Sequence, residues 1–77
     1  MHQPTLKHFI LKQQALDLFR SAIRASRSIP DVVAREETIV WIRAEFERKR
    51  HLQDVAAIED ALKAGRRDMK HYFPASR

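Results

Sequence analysis

Three arginines in the first third of the chain have the spacing to bind an anion together. Arg20, Arg24 and Arg27 stand four and then three residues apart, which places them on one side of a helix. A guanidinium group can hold a carboxylate or a phosphate through two parallel hydrogen bonds. The row therefore indicates an acidic partner, although each charge taken alone is also typical of a solvated helix surface.

A second basic cluster lies near position 50 and comprises Arg43, Arg48, Lys49, Arg50 and His51. Its place at the end of a predicted helix is favourable, because cations stabilise the negative helix terminus. The net charge of the whole chain is +5 at pH 7. Charge alone allows a nucleic acid, an anionic membrane surface or an acidic protein as the partner.

The residue types that catalysis or metal binding would need are absent or wrongly spaced. The chain has no cysteine, and its four histidines lack the spacing of metal ligands. It has no glycine-rich phosphate loop, no HExxH pair and no nucleophile with a nearby base. We therefore expect a protein that is not an enzyme and that holds no metal or cofactor of its own.

Three helices are predicted to position these residues. Apolar residues recur at helical spacing over about 5–27, 31–50 and 54–72, and Pro30 and Pro74 limit the segments. The connections between them are only a few residues long. This pattern predicts one all-α domain over residues 1–77, an antiparallel three-helix bundle that runs up, down and up. A single long helical hairpin is the alternative.

The apolar faces of the three helices differ. The first and third helices carry one wide stripe each, and the second has a narrow line but is apolar on further faces, so we expect it to contact two neighbours or an external partner. Trp41, on one of those further faces, is interpreted as a half-buried packing residue. The stripes consist of Leu11, Ala15, Leu18, Phe19, Ala22 and Ile23; of Ile39, Ile42 and Phe46; and of Val55, Ile58, Leu62, Gly65, Met69 and Phe73.

Gly65 lies in the middle of the third stripe, where it costs about 1 kcal/mol of helix propensity relative to alanine. One interpretation is that it lets another backbone or a ligand approach closely. The other is that a shorter helix ends there.

The chain has no apolar run near the roughly 20 residues that a membrane span needs, so we expect a soluble protein. Its first 30 residues hold five basic side chains and a single acid, Asp17. This amphipathic pattern resembles a mitochondrial targeting segment. A basic first helix of the fold explains it equally, and we favour one segment that serves both purposes.

The triplet Leu18-Phe19-Arg20, near the middle of the first helix, resembles the signature of the LYR family. Arg43 and Phe46 resemble the family's downstream segment, in which a phenylalanine lies between basic residues. The resemblance extends from about Thr5 to Phe73 through the matching groups Thr5-Leu6-Lys7-His8-Phe9, Gln13-Gln14-Ala15-Leu16, Trp41 and Gly65. Phe19 stands where the signature has tyrosine, so the packing of the ring is kept and the hydroxyl is lost.

The resemblance implies an adaptor of the mitochondrial matrix whose partner is the mitochondrial acyl carrier protein. The carrier supplies a 4'-phosphopantetheine arm with an acyl chain, and the chain enters between the helices. The client implied is an intermediate of respiratory complex I, or alternatively the mitochondrial ribosome. Matching positions give Arg20, Arg43, Arg50, Lys12 and Arg24 as carrier contacts. The residues that they give as lining the acyl path are Ile39, Phe46, Leu62, Gly65 and Met69. For the four apolar side chains among them, ordinary packing in the core is an equally good explanation.

Two other classes of function compete with an adaptor. A small RNA-binding module would use the positive charge for phosphate contacts, but one tyrosine and one tryptophan leave little for base stacking. A peripheral membrane helix is less economical, because the apolar stripes can cover one another within a bundle.

Overall fold

The computed structural model describes residues 5–74, which form three helices and no strand. Helix α1 covers Leu6–Ser26, α2 covers Val32–Lys49 and α3 covers Val55–Tyr72. Short turns join them, so α2 runs antiparallel to α1 and α3 runs antiparallel to α2. The predicted all-α three-helix bundle is confirmed, and the helices end within one residue of the predicted limits.

Each helix begins at a capping side chain that the sequence indicates. The carboxylates of Asp31 and Asp54 accept the backbone N–H groups of Ala34 and Ala57, at 3.2 and 3.0 Å. Thr5 caps α1 in a reciprocal arrangement, because its hydroxyl oxygen accepts the N–H of His8 while the His8 ring accepts the N–H of Thr5. These bonds satisfy donors that have no partner inside a helix and fix where each helix starts.

Helix α1 lies at the centre of the arrangement. It packs along both α2 and α3, whereas α2 and α3 touch each other only weakly. The domain is elongated, at 46 × 20 × 15 Å. A bundle of this kind has two well-packed helix interfaces and leaves a gap where a third would be.

The core is correspondingly small. Its buried hydrophobic side chains are Leu11, Ala22, Ile42, Ile58 and Leu62. Every helix contributes at least one of them, but most of the remaining apolar stripe residues are only half-buried. The predicted stripes do face inward, yet they do not close over one another.

Polar contacts hold α1 to the turn between α2 and α3. The Nε2 atom of His8, which is itself buried, lies 2.5 Å from the carbonyl oxygen of Gln53 and donates to it. The ammonium group of Lys12 donates to the carbonyl oxygen of Arg50 at 2.9 Å. We call this end, where α2 ends and α3 begins, the lower end of the bundle.

Candidate functional site

A cavity occupies the gap between α2 and α3, with α1 as its floor. Its volume is about 160 Å³, and most of its lining is apolar. We call it the interior cavity. Among the side chains that line it are Leu18, Phe19, Ile42, Phe46, Leu62 and Met69. A space of this shape and chemistry suits an apolar chain, because such a chain would cover half-buried stripes that no other helix covers.

Four of the five residues predicted to form an acyl path line the interior cavity. They are Phe46, Leu62, Gly65 and Met69. Ile39 is half-buried but does not line the cavity. It lies on the same face of α2 as Phe46, but seven residues, or about two helical turns, nearer the start of the helix.

Gly65 is a point of close approach between α1 and α3. A Cβ atom added there would lie 2.7 Å from the Cδ2 atom of Leu18, which is shorter than carbon atoms tolerate. Helix α3 continues through Gly65 to Tyr72, so the interpretation of Gly65 as a helix end is wrong. The glycine serves close packing, and the side chain that approaches it is the first residue of the Leu18-Phe19-Arg20 triplet.

The second residue of the triplet packs against α2. The rings of Phe19 and Phe46 lie 4.5 Å apart between centroids and are tilted by 31°, a favourable aromatic geometry. The triplet and the downstream phenylalanine, which are 27 residues apart in sequence, therefore form one contact. With Phe19 in place of tyrosine, this contact is purely one of ring packing.

A second aromatic pair joins α2 to α3 near the upper end, the end where α3 finishes. Trp41 and Tyr72 meet edge to face, with ring centroids 6.0 Å apart and an angle of 63°. Both line the interior cavity, and their side chains are 46% and 61% exposed. We call this pair the aromatic bridge.

Four of the five predicted carrier contacts flank the seam between α1 and α2. Phe19 and Phe46 contact each other across this seam. Arg20 follows Phe19 by one residue and Arg43 precedes Phe46 by three, so helical geometry places both arginines on the side of the seam that faces away from α3. Arg24 and Arg50 continue the same rows, four residues after Arg20 and seven after Arg43. We call these four exposed residues the arginine face.

The arginine face is mostly unpaired. No carboxylate among residues 5–74 lies within ion-pair distance of Arg20, Arg24 or Arg43. Arg50 pairs with Glu47 at 2.8 Å. Unpaired guanidinium groups remain available to an acidic partner.

Arg50 connects the arginine face to the interior cavity, because it also lines the cavity at its lower end beside Lys49 and Leu52. Lys12, the fifth predicted carrier contact, is engaged in the same region by the carbonyl of Arg50. The structure thus gives Lys12 a role in joining α1 to the end of α2.

Glu45 is a second carboxylate at this basic end, besides Glu47. Burial acts to raise the pKa of its carboxyl group, but hydrogen bonds from Arg48 and Lys49 and the positive charges of both outweigh burial and hold that pKa below its usual value. Glu45 therefore stays ionised and keeps these two cations on the surface of α2, away from the arginine face.

Residues 5–74 contain no group of three acidic, histidine or cysteine side chains arranged to hold a metal ion. None of the three helices is long and apolar enough to cross a membrane.

Two features of the site were not predicted from the sequence. The aromatic bridge joins residues 31 positions apart, and no local pattern links Trp41 to Tyr72. The contact of His8 with the α2–α3 turn was missed as well, although the Thr5-x-x-His8 spacing before an apolar run does resemble a capping box.

Comparison of the sequence with known proteins shows a family relationship. The sequence profile of the family described as Complex 1 protein (LYR family) matches residues 13–71. LYR motif-containing protein 2 of Xenopus laevis is 36% identical over 66 residues, which are 86% of this chain and 76% of that protein. The human protein of the same name is 30% identical over 66 residues, 86% of this chain and 75% of its own length.

The Salmo salar protein of that name is 39% identical over a shorter stretch of 54 residues, 70% of this chain and 60% of its own length. No solved structure gives a significant match. The resemblance carried by the triplet and by the segment around Phe46 is confirmed.

Proposed function

Since the chain belongs to the LYR family, we propose that it is an adaptor of the mitochondrial matrix that binds the acylated mitochondrial acyl carrier protein. Proteins of this family are typically mitochondrial and generally act as non-catalytic adaptors. In this proposal the carrier docks on the arginine face, and its acyl chain enters the interior cavity.

The observation that carries the proposal is the position of Arg50. It belongs to the arginine face and also lines the lower end of the interior cavity. If Arg20 and Arg43 hold an acidic carrier, the entrance of the apolar cavity therefore lies at the edge of the surface that the carrier covers. An acylated phosphopantetheine arm has a phosphate at one end, a polar linker with two amides, and an apolar acyl chain at the other end, so its two ends suit Arg50 and the apolar cavity lining.

The energetics favour a chain in this cavity. Each methylene group moved from water into apolar surroundings contributes about 0.8 kcal/mol. The same chain would cover apolar side chains of α2 and α3 that do not reach one another. Binding would therefore also stabilise the fold, because a ligand that binds only the folded state shifts the folding equilibrium toward it.

The basic residues have a separate part. Charges at the rim of an interface select the partner and raise the association rate more than they add affinity. The carrier would supply acidic residues to the unpaired guanidinium groups of Arg20, Arg24 and Arg43. The chain needs no cofactor of its own in this scheme, since the carrier brings the acyl-4'-phosphopantetheine.

The test is co-purification with the carrier from cells that express both proteins. The wild-type chain is expected to carry one acylated carrier per molecule, as read by intact mass. Arg43→Glu should weaken the complex about 30-fold or more, since it replaces an attractive charge by a repulsive one, and like charges that face each other across an interface cost several kcal/mol. Its helix content should be unchanged, because Arg43 is exposed and makes no ion pair with residues 5–74.

The matched control is Arg67→Glu, which makes the same change of charge at an exposed position of α3. It should retain the carrier. Equal loss in both variants would indicate nonspecific attraction to a basic protein, and equal retention would contradict docking on the arginine face. Strong, salt-sensitive binding of RNA by the chain alone would instead support a nucleic-acid function.

For the client, we propose an assembly intermediate of respiratory complex I, in keeping with the description of the matched family as Complex 1 protein. Assembly of the mitochondrial ribosome is the alternative. Depletion of the protein separates the two: loss of complex I on native gels with intact ribosomal subunits supports the first, and the reverse pattern supports the second.

A further inference from the structure

The interior cavity is followed by a second, wider cleft at the upper end of the bundle. This upper cleft has a volume of about 810 Å³ and lies between the end of α1, the start of α2 and the residues that follow α3. Its apolar lining includes Ala25, Ile29 and Ala34. The two spaces share four lining residues, Trp41, Ile42, Tyr72 and Phe73.

The shared residues form the partition between the two spaces. Ile42 is buried, and Phe73 is half-buried at the C-terminal cap of α3. The aromatic bridge completes the partition from α2 to α3, which otherwise touch only weakly. Its two rings are large but partly exposed, so no dense packing surrounds them.

Two polar groups of the upper cleft, the hydroxyls of Thr38 and Ser28, are satisfied internally, and the lining also includes the exposed residues Glu37 and Tyr72. The hydroxyl of Thr38 donates to the carbonyl of Ala34 at 2.7 Å, and the hydroxyl of Ser28 donates to the carbonyl of Ala25 at 2.8 Å. An apolar chain that entered the cleft would therefore not strip either hydroxyl of its hydrogen bond. The upper cleft is chemically able to receive the end of a chain, and what separates it from the interior cavity is the partition.

We propose that the aromatic bridge sets the longest acyl chain that the protein accepts, by closing the interior cavity from the upper cleft. The inference rests on the proposed binding of an acyl carrier. A chain that enters at Arg50 meets the bridge at the far end of the cavity and stops there.

The dimensions give this limit a scale. Lys49 and Trp41, at the two ends of the interior cavity, are eight residues apart on α2, which is about 12 Å along the helix axis. From Trp41 the upper cleft continues for seven more residues to Ala34, a further distance of about 10 Å. Removal of one ring of the bridge would nearly double the path.

The experiment compares the acyl chains that co-purify on the carrier. Trp41→Ala should shift their mass distribution toward longer chains, since each further methylene that finds apolar room increases affinity about fourfold. Tyr72→Ala opens the same bridge from the other helix and should give the same shift. The matched control is Val40→Ala, next to Trp41 on α2 but outside both linings and 66% exposed, which should leave the distribution unchanged.

A variant that fills part of the upper cleft with a larger side chain makes the test specific to that cleft. Thr38→Leu should leave the distribution unchanged in the wild-type background, because the closed bridge already excludes the chain. Combined with Trp41→Ala, it should return the distribution toward that of the wild type. If both bridge variants retain the carrier, remain helical and carry the wild-type acyl chains, the inference is wrong.

A second arm separates this inference from the proposed function. The purified chain is titrated with free fatty acids of increasing length, and the rise in Tm is recorded. For the wild type the rise should level off at a certain length, and in Trp41→Ala it should continue beyond that length. Failure of the wild type to retain any carrier would refute the proposed function alone, whereas length curves that coincide for the two proteins would refute the role of the bridge.

Discussion

Gly65→Ala should weaken acyl binding while leaving the fold almost intact, because the added methyl group would displace the end of the Leu18 side chain. The new Cβ would lie 2.7 Å from Cδ2 of Leu18, whereas the next atom of Leu18, Cγ, would be 3.9 Å away. Only the end of a flexible side chain has to move. Because Leu18 lines the interior cavity, its displaced methyl group has that cavity as the nearest free space.

The two effects on folding oppose each other. Alanine gains about 1 kcal/mol of helix propensity over glycine, and an off-rotamer leucine costs about 0.5–1.5 kcal/mol. The free energy of unfolding, measured with urea, should therefore change by less than about 1 kcal/mol. Loss of space for one methylene group should weaken binding of the acylated carrier about fourfold, or about 0.8 kcal/mol.

Ala44→Gly, at an exposed position inside α2, is the control for helix propensity and should lower stability by about 1 kcal/mol without changing carrier affinity. The double variant Leu18→Ala/Gly65→Ala removes the clash and should show nonadditivity in both measurements. The reasoning fails if Gly65→Ala unfolds the chain, or if it binds the acylated carrier as tightly as the wild type does.

Two further predictions concern contacts outside the cavity. His8→Ala removes the hydrogen bonds to Thr5 and to the Gln53 carbonyl. It should lower the free energy of unfolding, measured by urea titration, by about 1–3 kcal/mol. An unchanged free energy would mean that other contacts hold the lower end of the bundle. Glu45 has a pKa held below its ordinary value of 4.5, so its carboxylate stabilises the fold above that pH and the contribution is lost as pH falls through the lower folded-state pKa. The Tm of the wild type should therefore exceed that of Glu45→Gln at pH 6, with a difference that shrinks in acid; a constant difference would contradict the linkage.

The helices themselves could be predicted from sequence because their signals are local. Thr5, Asp31 and Asp54 are residue types that cap helices, and each does so one residue before the helix begins. The α3 stripe falls at helical spacing and supplies the buried residues Ile58 and Leu62. Fold class and helix limits follow from such patterns alone.

The candidate site could be predicted only in part, because its shape depends on contacts distant in sequence. Residues at helical spacing point inward, which is why Phe46 and Met69 line the cavity as expected. The same spacing put Ile39 on the path, since periodicity shows which face of a helix is apolar but not how far along that face a cavity extends. The gap between α2 and α3, and the contact between Trp41 and Tyr72 that spans it, depend on the distance between α2 and α3 when both pack against α1.

The central position of α1 also determines how the domain can open. Helices α2 and α3 are each anchored to α1 but scarcely to each other, so either can detach without breaking the other's interface. Local opening of this kind has a lower free energy than global unfolding and appears in hydrogen exchange as separate protection levels. The amides of α1 should exchange slowest, and those of α2 and α3 should exchange as two independent groups. The outward movement of one helix would then widen the interior cavity for a chain that enters at Arg50.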